Sequence, residues 1–224
     1  MALSVPGTAA TLAASADPAR VLTFIEVRSD AVGSTEVLLH RYVQELRSDA
    51  STITARVLQQ IDRPEHFVLL ESSEQSELLA EREHHAQSIL QSLGAFLTAP
   101  LDRRAHRSFV PPCGRGAGRA LLPRARDAGE ALYVVAHLDI AGAASQAPRT
   151  ALERFRAAAC HAAGNELFEV WQQANRGNHF DLIARWSTRQ ALSAFAASPA
   201  AREFRELVGP RLGSPYDERM YQPH

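Results

Sequence analysis

A chain of 224 residues, 46% of them hydrophobic and 22% charged, has an ordinary globular composition and enough length for two domains of about 100 residues each. The formal net charge of -1 offers no basic surplus for a nucleic-acid partner. No run of 18 or more apolar residues is present, so no transmembrane helix and no membrane partner is expected.

Residues 1–20 are rich in Ala, Ser and Thr and read as a flexible N-terminal extension. Ala14-Ser15-Ala16 has the small-x-small form of a signal-peptidase site, but a basic segment is missing and Pro6 and Gly7 interrupt the apolar stretch. The expected location is therefore the cytoplasm. Export is the alternative, should these residues be the tail of a longer signal peptide.

From Val21 to Arg28 a β-branched, apolar run predicts a strand, and Val37, Leu38, Tyr42 and Leu46 then follow at helical spacing. Ile53 to Gln60 and Phe67 to Glu71 read as a hairpin whose turn carries Asp62-Arg63-Pro64. A second helical region, from about Glu74 to Phe96, leads to a last strand near Arg104 to Phe109. The order begins again at Tyr133 to Ile140: a helix through Leu152, Phe155 and Ala159, then strands Leu167 to Gln173 and Phe180 to Trp186 about Asn175-Arg176-Gly177. A helical region from Thr188 to Val208 comes next, which Pro199 should split, and a closing strand near Arg219 to Gln222.

Val21–Leu79 aligns without a gap on Val134–Leu192 at a constant offset of 113, with identities at Val57/Val170, Gln59/Gln172, Gln60/Gln173, Arg63/Arg176, His66/His179 and Phe67/Phe180. Two residues further out of step, the match resumes at Leu97/Leu212, Pro100/Pro215, Asp102/Asp217 and Arg104/Arg219. Solenoid repeats run to about 20 to 50 residues, so this period marks the duplication of a whole domain. Each copy reads β-α-β-β-α-β, the ferredoxin-like order. The fold class is thus α+β, with domain 1 at 21–110, a linker rich in Gly, Pro and Arg at 111–131, and domain 2 at 132–224. Cys113 and Cys160 make neither a disulfide framework nor a zinc site and are expected to be incidental.

The hairpin segments VLQQIDRPEHFVLLESS and VWQQANRGNHFDLIARWS, with the Ser198-Pro199 break and the closing strand, resemble the antibiotic biosynthesis monooxygenase family. The second repeat matches better, because Trp186 stands at the family's strand-end Trp while the first repeat has Ser73. The resemblance implies a dimeric α/β barrel. Family members build it by homodimerising; two copies in one chain would close it intramolecularly, the linker keeping the halves at high effective concentration. It further implies a pocket between sheet and helices, used for O2-dependent oxidation of a small quinol or polycyclic phenol without a cofactor. No Rossmann glycine pattern, P-loop or HExxH suggests another chemistry. The haem-degrading branch needs an Asn in the first strand, absent here, and a His where this chain has Phe195.

Such chemistry needs a base, a donor for the phenolate and an aromatic wall. His137, Arg185 and Trp186 are the candidate catalytic residues, and Trp171, His179 and Tyr221 the candidates for substrate binding. At the aligned positions of repeat 1 stand Phe24, Ser72, Ser73, Leu58, His66 and His106, so the chemistry is expected in repeat 2. His66 and His179 recur at one hairpin position, which also suits a structural role at the turn. The expected partners are a small aromatic molecule and O2. The alternative is a non-catalytic protein that binds or senses a small aromatic molecule in the same pocket.

Overall fold

In the computed structural model, which describes residues 19–48, 52–73, 91–110, 113, 131–141 and 146–224, eight antiparallel strands close into one barrel. In chain order they are β1 (Ala19–Glu26), β2 (Thr52–Gln60), β3 (His66–Ser73), β4 (Asp102–Ser108), β5 (Leu132–Asp139), β6 (Asn165–Gln173), β7 (His179–Trp186) and β8 (Asp217–Pro223). Helix α1 (Val32–Ser48) packs outside the first repeat; α2 (Gln146–His161), α3 (Arg189–Ala196) and α4 (Pro199–Val208) pack outside the second. The strand order β1-β3-β2-β8-β5-β7-β6-β4 contains the ferredoxin-like arrangement twice. The last strand of each repeat pairs with the second strand of the other, as in His106↔Gln173 and Gln60↔Tyr221. The expected intramolecular barrel is thereby realised.

The duplication is visible in irregularities as well as in regular elements. Both second strands carry a register shift at equivalent places, Thr52/Thr54 and Asn165/Leu167. The isolated bridges Val27↔Leu97 and Ile140↔Leu212 are equivalent too. The closing strands start earlier than the sequence suggests, at Asp102 and Asp217, because pairing with the first strand of their own repeat extends them. Pro199 does split the last helical region: Thr188 and Ser198 each accept a hydrogen bond from a backbone N–H three residues on, capping α3 and α4. The second helical region of repeat 1 lies almost wholly outside the described residues, as do the N-terminal extension and most of the linker.

Three cores follow from strand alternation. Outside the barrel, α1 lays Leu39, Tyr42, Val43 and Leu46 on Ile25, Val57, Phe67 and Leu69, and repeat 2 builds its counterpart around Phe155, Phe180 and Trp186. Inside, Leu22, Leu58, Val68, Leu70, Tyr133, Val135, Trp171 and Tyr221 meet from both halves. This lumen is not purely apolar, since Arg20, Arg56, His106, Glu169 and Asp181 are buried there as well.

One expectation is corrected here. Cys113 and Cys160 are not incidental: they form a disulfide, with Cα atoms 5.8 Å apart. A backbone bridge from Cys113 to Phe168 holds that residue on the sheet beside α2, which the one-dimensional spacing of the two cysteines does not show. Gly164 joins α2 to β6 with φ +78, where a Cβ would lie 2.5 Å from the Ala191 side chain. Gly164→Ala is expected to lose at least about 1 to 2 kcal/mol, read as a lower midpoint in urea, from the left-handed backbone alone.

Candidate active site

Between the outer face of the second sheet and α2, α3 and α4 lies a cavity of about 130 Å³. The sheet contributes Phe168, Ala184 and Trp186, and the helices answer with Phe155, Phe195 and Phe204. Trp186 stacks on Phe195 at 5.1 Å between ring centroids, and Phe155 stacks on Phe204 at 4.2 Å. Polar groups appear at one end, where Arg205, Tyr216 and Glu218 form the rim and the Tyr216 hydroxyl donates to Glu218 Oε2 at 2.7 Å. A slot walled by aromatic rings and polar at one edge suits a planar ring bearing a hydroxyl.

The same place in repeat 1 is built otherwise. Glu71 stands where repeat 2 has Ala184, Tyr42 where it has Phe155, Ser73 where it has Trp186, and Arg103 where it has Glu218. Tyr42 Oη donates to Glu71 Oε1 at 2.8 Å and Arg103 Nη1 to Glu71 Oε2 at 2.8 Å, so a hydrogen-bonded ion pair stands at this place. Burial, with the Glu71 carboxylate beside it, pushes the Tyr42 hydroxyl far above its usual titration range. The small Ala184 is what leaves room in repeat 2.

Residues 131–207 match the antibiotic biosynthesis monooxygenase family. The second repeat is an antibiotic biosynthesis monooxygenase domain. Over nearly its whole length the chain shares the fold of a candidate monooxygenase from Fusobacterium nucleatum subsp. nucleatum, at 10% identity and a TM-score of 0.77, with 93% of each chain covered. A candidate monooxygenase from Lactobacillus acidophilus is similar at 12% identity and a TM-score of 0.70, covering 92% of this chain and 94% of that one. An anthrone oxidase-like protein is similar at 13% identity and a TM-score of 0.69, covering 93% and 92%. At these identities the likeness is one of fold. No curated protein matches the sequence.

The six residues singled out from the sequence fall on both faces of the monooxygenase domain's sheet. Trp186 lines the cavity under the helices. Arg185, its neighbour on β7, points the opposite way by strand alternation, pairs with Glu166 and has its guanidinium 5.9 Å from the Tyr133 ring centroid. Trp171 lies in the barrel interior, its indole N–H donating to Glu169, which Arg20 approaches at 3.6 Å. Burial raises the pKa of Glu169 against the pull of Arg20 and of the Trp171 hydrogen bond.

His137 and Tyr221 face the barrel interior too, near one mouth. His137 Nδ1 is 3.0 Å from Asp181 Oδ1, and His106 of the other repeat is 2.6 Å from Asp181 Oδ2. Burial alone would raise the Asp181 pKa, but the hydrogen bonds from His106 and His137 prevail and bring it to about 2. His137 Nδ1 also lies 3.1 Å from Arg104 Nη1, and its Nε2 lies 3.2 Å from His179 Nδ1. His179 sits opposite Asp139 across β5 and β7, as His66 sits opposite Glu26 across β1 and β3. The monooxygenase domain therefore has two separate constellations, Trp186 in one and His137, His179 and Tyr221 in the other.

Sequence reasoning missed Arg205, Tyr216, Glu218 and Asp181. One signal for Asp181 was legible: it is a carboxylate within the apolar strand HFDLIARW, where the other repeat has Val68. The rim residues carried no such mark, since they come together only when β8 passes beneath α4.

Proposed function

We propose that this protein is a monooxygenase that oxidises a small, single-ring quinol or phenol with O2 and without an added cofactor, in the cavity beneath the helices of repeat 2. The observation that carries this reading is the difference between the repeats: on the outer face of the sheet one holds the hydrogen-bonded group of Tyr42, Glu71 and Arg103, and the other an aromatic slot with a polar rim. Family membership of the second repeat supports the reaction class. An apolar cavity of roughly 150 Å³ takes benzene, so 130 Å³ suits one ring. A polycyclic phenol would require α3 and α4 to move away from the sheet.

In this reading the ring lies against Trp186 and Phe195 with its hydroxyl at the rim. Glu218 takes the phenolic proton and Arg205 steadies the anion, whose raised electron density lets it reduce O2. A hydroquinone and O2 then give a hydroxybenzoquinone and water, one oxygen atom ending on the ring and all four electrons coming from the substrate. His137, Trp171, Arg185, His179 and Tyr221, on the other face of the sheet, do not touch this substrate.

Oxygen uptake with a panel of hydroquinones, with chelator present and no flavin, tests the proposal. Turnover is expected, and Glu218→Gln should lower kcat/KM by about 10²-fold, the usual worth of a general base. Ala184→Leu, which fills the slot, should abolish turnover, while Tyr42→Phe in repeat 1 should leave it intact. Binding across the panel, seen as a raised melting temperature but without oxygen uptake, would instead make this a binding protein.

A further inference from the structure

The two repeats enclose a second cavity, of about 220 Å³, at one mouth of the barrel. Strand alternation keeps it apart from the slot beneath the helices: Val134 and Ala136 of β5 line the slot, whereas Val135 and His137 line the inner cavity. Both repeats build it. Phe24, Glu26 and Arg104 come from the first, and His137, Arg219 and Tyr221 from the second.

Its electrostatics are negative. Glu26, Asp102 and Asp217 line the cavity and Asp181 lies directly behind His137, so four carboxylates stand against the guanidiniums of Arg104 and Arg219. Both cations are held by carboxylates: Arg104 bonds both oxygens of Asp102 at 2.5 to 3.0 Å, reaches His137 Nδ1 at 3.1 Å and lies 4.9 Å over the Phe24 ring, and Arg219 holds Asp217 at 2.8 to 2.9 Å. Glu26 faces His66 at 3.6 Å, and burial lowers the pKa of that imidazole, leaving it uncharged near neutral pH.

The rest of the wall is apolar or aromatic. Val135 and the rings of Phe24 and Tyr221 supply it, and burial holds the Tyr221 hydroxyl protonated by pushing its pKa up to about 12. Among the described residues no group of three His, Cys, Asp or Glu side chains is arranged to hold a metal ion. An anion would meet net repulsion, whereas a cation with an apolar body would meet a carboxylate and aromatic faces together.

We propose that this inner cavity is a second ligand site, which takes a small protonated organic amine with its ammonium group near Glu26 and its apolar body against Val135 and Tyr221. The volume exceeds the roughly 150 Å³ that accepts benzene by enough for an aminoalkyl substituent. Because Phe24 and His137 occupy equivalent positions, the two walls differ and the amine has one orientation. The site stands independently of the oxidation chemistry beneath the helices.

Calorimetric titration of the full chain with benzylamine, benzyl alcohol and benzoate provides the test. Benzylamine should bind about tenfold or more tightly than either of the others, a margin of one charge interaction. Glu26→Gln should weaken benzylamine about tenfold. Ala184→Leu should leave it unchanged. Equal or tighter binding of benzoate or benzyl alcohol, full affinity in Glu26→Gln, or loss in Ala184→Leu would overturn the assignment.

Discussion

Asp181→Ala is expected to cost about 3 to 5 kcal/mol of stability, the usual loss when one partner of a buried charge cluster is removed and the others stay behind. Asp181 is fully buried, bonded to His106 at 2.6 Å and His137 at 3.0 Å, with Arg104 at 4.0 Å. Arg104 and His106 belong to the first repeat, and Asp181 and His137 to the second. In a pairing of two second repeats Asp181 would meet Tyr221 in place of His106, so the cluster rewards only the pairing within one chain. Urea unfolding should show Asp181→Val with His106→Phe losing less than Asp181→Ala alone, because the double change leaves fewer buried charges uncompensated.

The same cluster fixes a direction of pH dependence. The Asp181 pKa falls from 3.8 to about 2 on folding, so its contribution is complete above pH 3.8 and is lost as pH drops through about 2. The shift is worth roughly 2 to 3 kcal/mol. Unfolding midpoints measured between pH 5 and pH 2 should fall more steeply for the wild type than for Asp181→Asn, which has no carboxylate to protonate. Parallel curves would contradict the assignment.

Opening the Cys113–Cys160 disulfide is the second large effect. The bridge closes a sequence separation of 47 residues. For a loop of that length the chain-entropy argument gives about 4 kcal/mol. Cys113→Ser should therefore unfold at a markedly lower urea concentration than the oxidised wild type, and at nearly the same concentration as the reduced wild type. The bridge also pins Cys113 beside Phe168, a wall of the aromatic slot, so the reduced protein should bind hydroquinones more weakly. Such bonds persist in oxidising compartments and open in a reducing cytoplasm. Thiol trapping in intact cells would then report which of the two the chain inhabits.

The duplication, the order of elements and the break at Pro199 were legible in the residues, because periodicity, turn chemistry and repetition are local or self-referring signals. Trp186 stood out for the same reason, as one conspicuous difference between aligned copies. The sequence by itself therefore determined a fused pair of ferredoxin-like units and an inequality between them. It did not determine which face of the sheet each residue takes, and a single step along a strand moves a side chain from the helix side to the lumen. That step separates Trp186 from Arg185. Nor did it reveal contacts made across closure of the barrel, where His106 and Asp181 lie 75 residues apart in the chain and 2.6 Å apart in space. Tertiary structure alone decided the disulfide, the hydrogen-bonded group of Tyr42, Glu71 and Arg103, and the rim of Arg205, Tyr216 and Glu218. Each depends on where separate elements are brought to pack, and no pattern within one element encodes that.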